Sequence, residues 1–245
     1  MTNRIRVVCA GDSITRGRLS TDYVAMLRRS KVGERAEFVR HGVNGDLAYN
    51  LLQRLDRVVA AQPDVVTVLI GTNDVRAAIS AEAARRAVRR KNLPVHPTLD
   101  TYRDDLDMIV SRLRAETRAD IALLSLPVLG QDLRGAPARA AAEYSVVIRT
   151  TAAAHGVGYL PVNERQTEYL ACRESDPKVD FDSGMGLVYR SLVRHFLLGA
   201  SYRRIGASRG LILTTDHVHQ NPRGVSLIAD AIEEHVDMVA PLRPR

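Results

Sequence analysis

Residues 4–17, RIRVVCAGDSITRG, form the stretch that decides the fold. The apolar run at residues 5–10 predicts a buried strand, and Gly11-Asp12-Ser13 then turns the chain. An open α/β sheet carries its chemistry just beyond the carboxyl ends of its strands. Ser13 follows the end of a buried strand, where a rigid backbone can hold its side chain within reach of a substrate. It is therefore the candidate nucleophile.

Strand-like and helical patterns alternate along the rest of the chain. The clearest further strand is at residues 64–70, DVVTVLI, whose continuous apolar character is typical of a parallel strand covered on both faces. Shorter apolar runs predict strands at residues 36–39, 120–126, 157–162 and 211–214. Apolar residues at helical spacing predict helices at residues 21–30, 47–61, 80–90, 99–117, 136–155 and 164–171, and one from Pro222 onward. The alternation predicts a single α/β domain over residues 1–245, with a parallel sheet of about five strands between helices.

Composition limits the class of protein. The 245 residues are 45% hydrophobic, as expected of a globular domain, and contain no apolar run of about 18 residues that would predict a membrane span. The first residues lack the long apolar region of a secretory signal, so we expect a cytoplasmic protein. Cys9 falls in the predicted first strand and Cys172 far from it in sequence, and we expect no disulfide between them.

The positive charge of the chain could attract nucleic acid, since the net charge is +7 and the sequence pI about 9.8. Its densest cluster is Arg85, Arg86, Arg89, Arg90 and Lys91. At helical spacing these side chains are typical of a solvated helix face. No aromatic side chains are interleaved with them, so we predict no nucleic-acid partner.

A serine nucleophile needs a base, a group that orients the base, and donors for the oxyanion. Asp216 and His219 lie three residues apart, in a loop predicted to follow the short strand at 211–214. Such a turn can bring the carboxylate onto the imidazole Nδ1 and leave Nε2 facing Ser13. Gly45 could offer a backbone N–H with no side chain in the way, and Asn73 could offer its amide. The backbone N–H of Ser13 would be a third donor.

These blocks resemble the SGNH (GDSL) hydrolase family. The match covers residues 11–17 (GDSITRG), Gly45 in VNG, residues 71–74 (GTND), and Asp216 with His219, in the family's order along nearly the whole chain. The resemblance implies a flavodoxin-like three-layer α/β/α fold and hydrolysis of a small-molecule ester without metal or cofactor. It implies Ser13 as nucleophile and oxyanion donor, Gly45 and Asn73 as the other donors, His219 as base and Asp216 as its partner.

One position departs from the family pattern. His217 stands where the family usually has a small residue, often glycine. It could fill space, compete as a base or contact substrate. His217-x-His219 could also be half of a metal site, but no third ligand lies at a matching spacing, so we predict no metal.

Residues 172–210 interrupt the alternation and form a candidate cap. Apolar residues recur there four apart, which predicts an amphipathic helix at 188–197. The helix could pack on the core, or it could line the substrate pocket. In the second case Val188 and Leu192 are the candidate pocket residues.

Several alternatives accompany this assignment. Residues 206–210, GASRG, match the G-x-S-x-G nucleophile elbow, but that elbow needs a strand before its serine, so we reject Ser208. We expect Asp12 to orient its turn and Asp74 to cap the following helix. Acyl transfer to an alcohol or sugar, or removal of an acetyl group from one, would use the same groups as ester hydrolysis. A non-catalytic binding protein is the remaining alternative.

Overall fold

The central sheet is parallel and has five strands in the part of the chain that the structure describes. The structure is a computed structural model that describes residues 4–174, 176–181 and 185–239. The strands are β1 Ile5–Gly11, β2 Ala36–Gly42, β3 Val65–Leu69, β4 Asp120–Leu124 and β5 Gly158–Leu160. They lie in the order β2-β1-β3-β4-β5, which is the flavodoxin-like order. In that order the winding reverses between β1 and β3, and a crevice opens at the carboxyl ends of these two strands.

Helices cover both faces of the sheet. In chain order they are α1 Ser13–Arg16, α2 Tyr23–Arg29, α3 Val32–Arg35, α4 Ala48–Gln53, α5 Asp56–Ala60, α6 Thr72–Ala78, α7 Ala81–Lys91, α8 Leu99–Glu116, α9 Ala136–His155, α10 Val162–Ala171, α11 Gly186–Leu192, a π-helical turn Val193–Leu197, α12 Tyr202–Ser208 and α13 Pro222–Val239. None of the helices in the described ranges is both long enough and apolar enough to cross a membrane.

Alternate residues of each strand supply two separate cores. Val8 and Ala10 of β1 belong to the core that contains the apolar faces of α4, α8 and α9. Val7 and Cys9, which point the other way, belong to the core built with α2 and α13. This arrangement confirms the predicted three-layer fold with a sheet that is buried on both sides. Cys9 is buried and Cys172 is exposed, and both are free thiols.

Three predicted elements differ in the structure. The helix predicted at 47–61 is two helices, α4 and α5, because Arg54 leaves the helical path and its side chain runs beneath the chain to the ends of β1 and β2. The strand predicted at 211–214 does not join the sheet and leaves only an isolated bridge from Thr214 to Gln220. The helix predicted at 188–197 ends at Leu192, and in the π-helical turn Phe196 and Leu197 are 62% and 77% exposed.

Candidate active site

The turn after β1 places Ser13 at the crevice. A side chain on Gly11 would overlap the carbonyl oxygen of Leu69 on β3, so only glycine allows the two strand ends to approach. Asp12 caps α1, since its Oδ1 accepts a hydrogen bond of 2.9 Å from the Ile14 N–H. The predicted orienting role of Asp12 is therefore present in the structure. Ser13 is the first residue of α1 and is 5% exposed.

Ser13, His219 and Asp216 form a continuous hydrogen-bonded relay. Ser13 Oγ lies 3.1 Å from His219 Nε2, and His219 Nδ1 lies 2.8 Å from Asp216 Oδ2. The other carboxylate oxygen accepts from the backbone N–H groups of Val218, at 3.2 Å, and His219, at 2.7 Å. All three relay side chains are nearly buried. The bond between His219 Nδ1 and Asp216 also fixes the Nδ1–H tautomer of His219, which leaves Nε2 free to accept a proton.

The environment of Asp216 keeps its carboxylate ionised. Burial by itself would raise the pKa of Asp216, but the charge of His219 and the hydrogen bonds from His219 and Val218 hold the pKa below its usual range. An ionised Asp216 can stabilise the imidazolium that forms when His219 takes a proton.

A tight loop between Thr214 and Gln220 carries Asp216 and His219. The Thr215 N–H donates to the His219 carbonyl at 2.8 Å, and His217 takes a left-handed φ of 68° at the tip. Buried Arg209 supports the loop from below: its Nη1 donates to the Thr215 carbonyl and, at 2.7 Å, to Ser191 Oγ. The loop therefore holds its shape by its own hydrogen bonds together with those from Arg209, without pairing in the sheet.

Gly45 and Asn73 lie beside Ser13 on a shared cavity. Gly45 has a left-handed φ of 74°, which favours glycine, and its turn follows β2. Asn73 lies in the first turn of α6, directly after β3, and its Nδ2 donates to the Asp46 carbonyl at 3.0 Å and to Asp12 Oδ2 at 3.3 Å. The cavity measures about 180 Å³, and Ser13, Gly45, Asn73 and His219 all line it.

The family model for GDSL-like lipase/acylhydrolases matches residues 9–225. The chain belongs to the GDSL-like lipase/acylhydrolase family. Membership makes the protein a carboxylic ester hydrolase and confirms the resemblance stated from the four sequence blocks. A search of curated proteins finds no match.

Solved structures with the same fold include several hydrolases. The lipase/acylhydrolase from Enterococcus faecalis superposes with a TM-score of 0.62 at 20% identity over 95% of each chain. Axe2, an acetylxylan esterase from Geobacillus stearothermophilus, gives 0.67 at 19% identity over 96% of each chain. LAE5, an α/β hydrolase enzyme from the metagenome of Lake Arreo, Spain, gives 0.65 at 20% identity over 100% of each chain. At these identities the likeness is one of fold.

Other sequence candidates of this GDSL-like hydrolase lie away from the cavity. His217 Nε2 donates to the Val179 carbonyl at 2.8 Å, and its ring contacts Phe181 edge-on, so it ties residues 176–181 to the loop. Val188 is buried and Leu192 partly buried, yet neither lines the cavity among the described residues. The cap-like segment reaches the cavity through Met185 instead.

The contacts of Ser208 and Asp74 define the structural role of each residue. Ser208 is the last residue of α12, and its Oγ donates to the Ile205 carbonyl at 2.8 Å, so no strand precedes it. Ser80, and not Asp74 as predicted, caps the helix predicted at 80–90, since its Oγ accepts from the Ala83 N–H at 3.1 Å. Asp74 lies in the first turn of α6. Both of its carboxylate oxygens accept from the Ala48 N–H at 3.2 Å, so it caps the start of α4 across the crevice. No group of three or more histidine, cysteine or acidic residues in the described ranges could hold a metal ion.

Sequence analysis missed a charged network behind Gly45 in this hydrolase. Asp46 is 4% exposed and pairs with Arg54 Nε at 2.7 Å and with Lys91 Nζ at 2.9 Å. Arg54 also donates to the carbonyls of His41, at 3.0 Å, and Gly11, at 2.8 Å. The network therefore joins the ends of β1 and β2 to the turn that carries Gly45. The only sequence signal was the polar, glycine-rich stretch at 41–46, which does not say which cations reach it.

Proposed function

We propose that this hydrolase is a serine esterase that works through an acyl-enzyme, with Ser13 as nucleophile, His219 as base and Asp216 as its partner. The observation that carries the proposal is the relay of 3.1 Å from Ser13 Oγ to His219 Nε2 and 2.8 Å from His219 Nδ1 to Asp216 Oδ2. Both distances are normal hydrogen-bond lengths.

The first half of the reaction acylates the enzyme. His219 Nε2 takes the Ser13 hydroxyl proton as Oγ attacks the ester carbonyl carbon. The carbonyl oxygen becomes an oxyanion that accepts from the backbone N–H groups of Ser13 and Gly45 and from the Asn73 amide. His219 then gives its proton to the leaving alcohol, and the acyl group stays on Ser13.

The second half releases the acid. A water molecule gives a proton to His219 and attacks the acyl-enzyme carbonyl, and the same donors hold the second oxyanion. When this tetrahedral intermediate collapses, the Ser13 oxygen recovers the proton from His219 and the carboxylic acid leaves. Asp216 stays ionised throughout and stabilises the imidazolium in both halves.

The size of the cavity favours a short acyl group. About 180 Å³ is small beside the roughly 300–1,000 Å³ typical of sites for drug-sized ligands. Acetyl esters are therefore the first substrates to test, and acetylated sugars belong among them because Axe2, which shares the fold, is an acetylxylan esterase.

The test is an ester panel assayed with wild type and Ser13→Ala. We expect p-nitrophenyl acetate to be hydrolysed faster than long-chain esters and the Ser13→Ala variant to lose turnover. Retained turnover in a folded Ser13→Ala variant would contradict the assignment. Adding an alcohol or sugar acceptor and identifying the products separates hydrolysis from acyl transfer. The cytoplasmic location and the absence of a nucleic-acid partner stay predictions.

A further inference from the structure

The cavity beside Ser13 carries charge of one sign. Four cationic side chains line it: Arg76 from α6, and Arg86, Arg90 and Lys91 from α7. No aspartate or glutamate of the described ranges lines it. The rest of the lining outside the relay and the donors is largely apolar and comes from alanines of α6 and α7 and from Leu19, Leu47 and Met185. The Arg86 side chain is 36% exposed and Arg90 is exposed, so both guanidinium groups are open to a ligand that enters from solvent.

The charge of Lys91 is already used by the protein. Its ammonium donates to the Asn44 carbonyl at 2.8 Å and to Asp46 Oδ1 at 2.9 Å, the two residues on either side of Gly45. A Cβ placed on Gly45 would lie 3.1 Å from Lys91 Cε, so the side chain covers the turn closely. Lys91 is therefore a positioning residue for the Gly45 turn, and it leaves the arginines as the charges that face the cavity.

No strong ion pair in the described residues offsets the charges of Arg86 and Arg90. The carboxylate nearest to Arg86 is Glu82, at 3.7 Å, and the Glu82 side chain is 79% exposed, so water screens this pair. The Arg90 guanidinium makes no hydrogen bond or ion pair with any residue that the structure describes. The two arginines are one helical turn apart on α7, while Arg85 and Arg89 of the same helix do not line the cavity.

The described acidic groups next to the cavity already have partners within the protein. Asp46 already pairs with both Arg54 and Lys91, so this cluster has one positive charge in excess. Asp12 is buried behind Asn73, where its carboxyl accepts from Ile14 and from the Asn73 amide. The positive charge of Arg76 acts on Asp12. Among the residues that the structure describes, exposed Glu82 is therefore the only carboxylate that pairs with Arg86, and none pairs with Arg90, although both arginines line the space next to Ser13.

The geometry points to a substrate that carries its own anionic group, a carboxylate or a phosphate, which Arg86 and Arg90 bind while Ser13 reacts with the ester. Guanidinium groups match these anions in shape as well as charge, because each can donate two parallel hydrogen bonds. This inference rests on the proposed esterase function, and it names the class of ester. The anion can lie in the alcohol part or in the acyl part, and the two are distinguished by experiment.

The experiment compares charged and neutral esters that are otherwise matched. For the alcohol part the pairs are para-acetoxybenzoate with its methyl ester, and para-acetoxyphenyl phosphate with phenyl acetate. For the acyl part the pair is monoethyl succinate with ethyl pentanoate. At low salt we expect kcat/KM for the charged member of at least one pair to exceed that of its neutral partner by about tenfold or more. The pair that shows the preference identifies the anion and its position, and added salt lowers the preference.

Matched variants of α7 separate a local site from the charge of the whole protein. Arg86→Gln/Arg90→Gln removes two charges from the cavity and should reduce the charged-to-neutral ratio of kcat/KM to near one. Arg85→Gln/Arg89→Gln removes two charges from the same helix outside the cavity and should keep the ratio of wild type. Equal loss of the ratio in both double variants would overturn the proposal, because general attraction would then explain it. Equal kcat/KM for the charged and neutral members of every pair would also overturn it.

A binding measurement keeps this inference separate from the catalytic one. Calorimetry with para-acetoxybenzoate, para-acetoxyphenyl phosphate and monoethyl succinate on Ser13→Ala should detect binding of the preferred anion, and the added changes Arg86→Gln/Arg90→Gln should abolish it. Anion binding without any Ser13-dependent turnover would keep the anion site and reject the esterase. Turnover of neutral esters with no anion binding and no charge preference would keep the esterase and reject the anion site.

Discussion

The side-chain amide of Asn73 lies 3.0 Å from the carbonyl oxygen of Asp46, so the turn after β2 and the helix after β3 are joined directly beside Ser13. One N–H of the amide is held by this bond. The second N–H makes a longer bond of 3.3 Å to Asp12 Oδ2. We therefore expect the second N–H to break its hydrogen bond with Asp12 and to donate to the oxyanion when the oxyanion forms.

Replacing Asn73 by Ala should lower kcat by about 10² to 10³, which is the usual effect of losing one oxyanion donor. KM should change little, because the neutral ester carbonyl gains less from the donor than the oxyanion does. Steady-state kinetics with p-nitrophenyl acetate measures both. An unchanged kcat with a raised KM would show that Asn73 only positions the substrate.

Replacing Asp216 by Asn should lower kcat by about 10³ to 10⁴, because the neutral amide can favour the wrong tautomer of His219 and cannot stabilise the imidazolium. The two backbone N–H groups that donate to Asp216 should still find an oxygen acceptor in the Asn side chain. Circular dichroism and the melting temperature control for folding. A folded variant with wild-type kcat would contradict the role given to Asp216.

Asp74 should make the protein less stable as the pH rises. Burial raises the pKa of Asp74 from 3.8 to about 8, against the hydrogen bond from Ala48, and the neighbouring charges of Asp105 and Asp12 also raise it. A raised pKa means that the folded protein binds the proton more tightly than the unfolded chain. The stability that this proton contributes is fully present below about pH 4 and is lost as the pH rises through about 8.

Asp74→Asn tests this dependence because it keeps the shape of the protonated side chain and cannot titrate. Melting temperatures of both proteins from pH 5 to pH 9 should show wild type losing stability relative to the variant as the pH rises. Parallel curves over that range would show that Asp74 does not titrate there.

Arg209 should matter for both stability and activity although it touches neither Ser13 nor His219. Arg209→Met removes the donors to the Thr215 carbonyl and to Ser191 Oγ, and leaving such buried acceptors unpaired costs about 1–3 kcal/mol. We expect a lower melting temperature and a lower kcat, because the loop that presents His219 loses its support. Arg204→Gln, an exposed position on α12, the helix that ends just before Arg209, is the matched control and should behave as wild type. Equal melting temperatures and kcat values for Arg209→Met and wild type would contradict the supporting role.

The layers of the fold could be predicted because hydrophobic patterning decides them. The run at residues 5–10 and the run at 64–70 are apolar throughout, and only a sheet covered on both faces buries such strands. The helix predicted at 47–61 failed because Arg54 bonds to distant strand ends, which helical periodicity does not register. The strand predicted at 211–214 failed because Leu213 packs in a small apolar cluster with Val128, Ala138 and Leu170, and the segment does not pair in the sheet.

The candidate site was predictable only in part. Ser13, Gly45 and Asn73 follow strand ends, and parallel topology brings such ends together, so their proximity follows from the fold. Asp216 and His219 were located by their spacing in a loop after a predicted strand and by the family resemblance. Val188 and Leu192 were placed in the pocket because they share a helical face, but periodicity does not tell which surface that face meets. For the same reason α7 was predicted to be a solvated face, whereas Arg86 and Arg90 line the cavity.

The most direct test of the central claim is covalent labelling of the nucleophile. Treatment with a fluorophosphonate probe, followed by peptide mass spectrometry, should place one adduct on Ser13 in wild type. Ser208→Ala should label like wild type, and His219→Ala should label far more slowly because the base is gone. An adduct on Ser208, or undiminished labelling of the Ser13→Ala variant, would contradict the account.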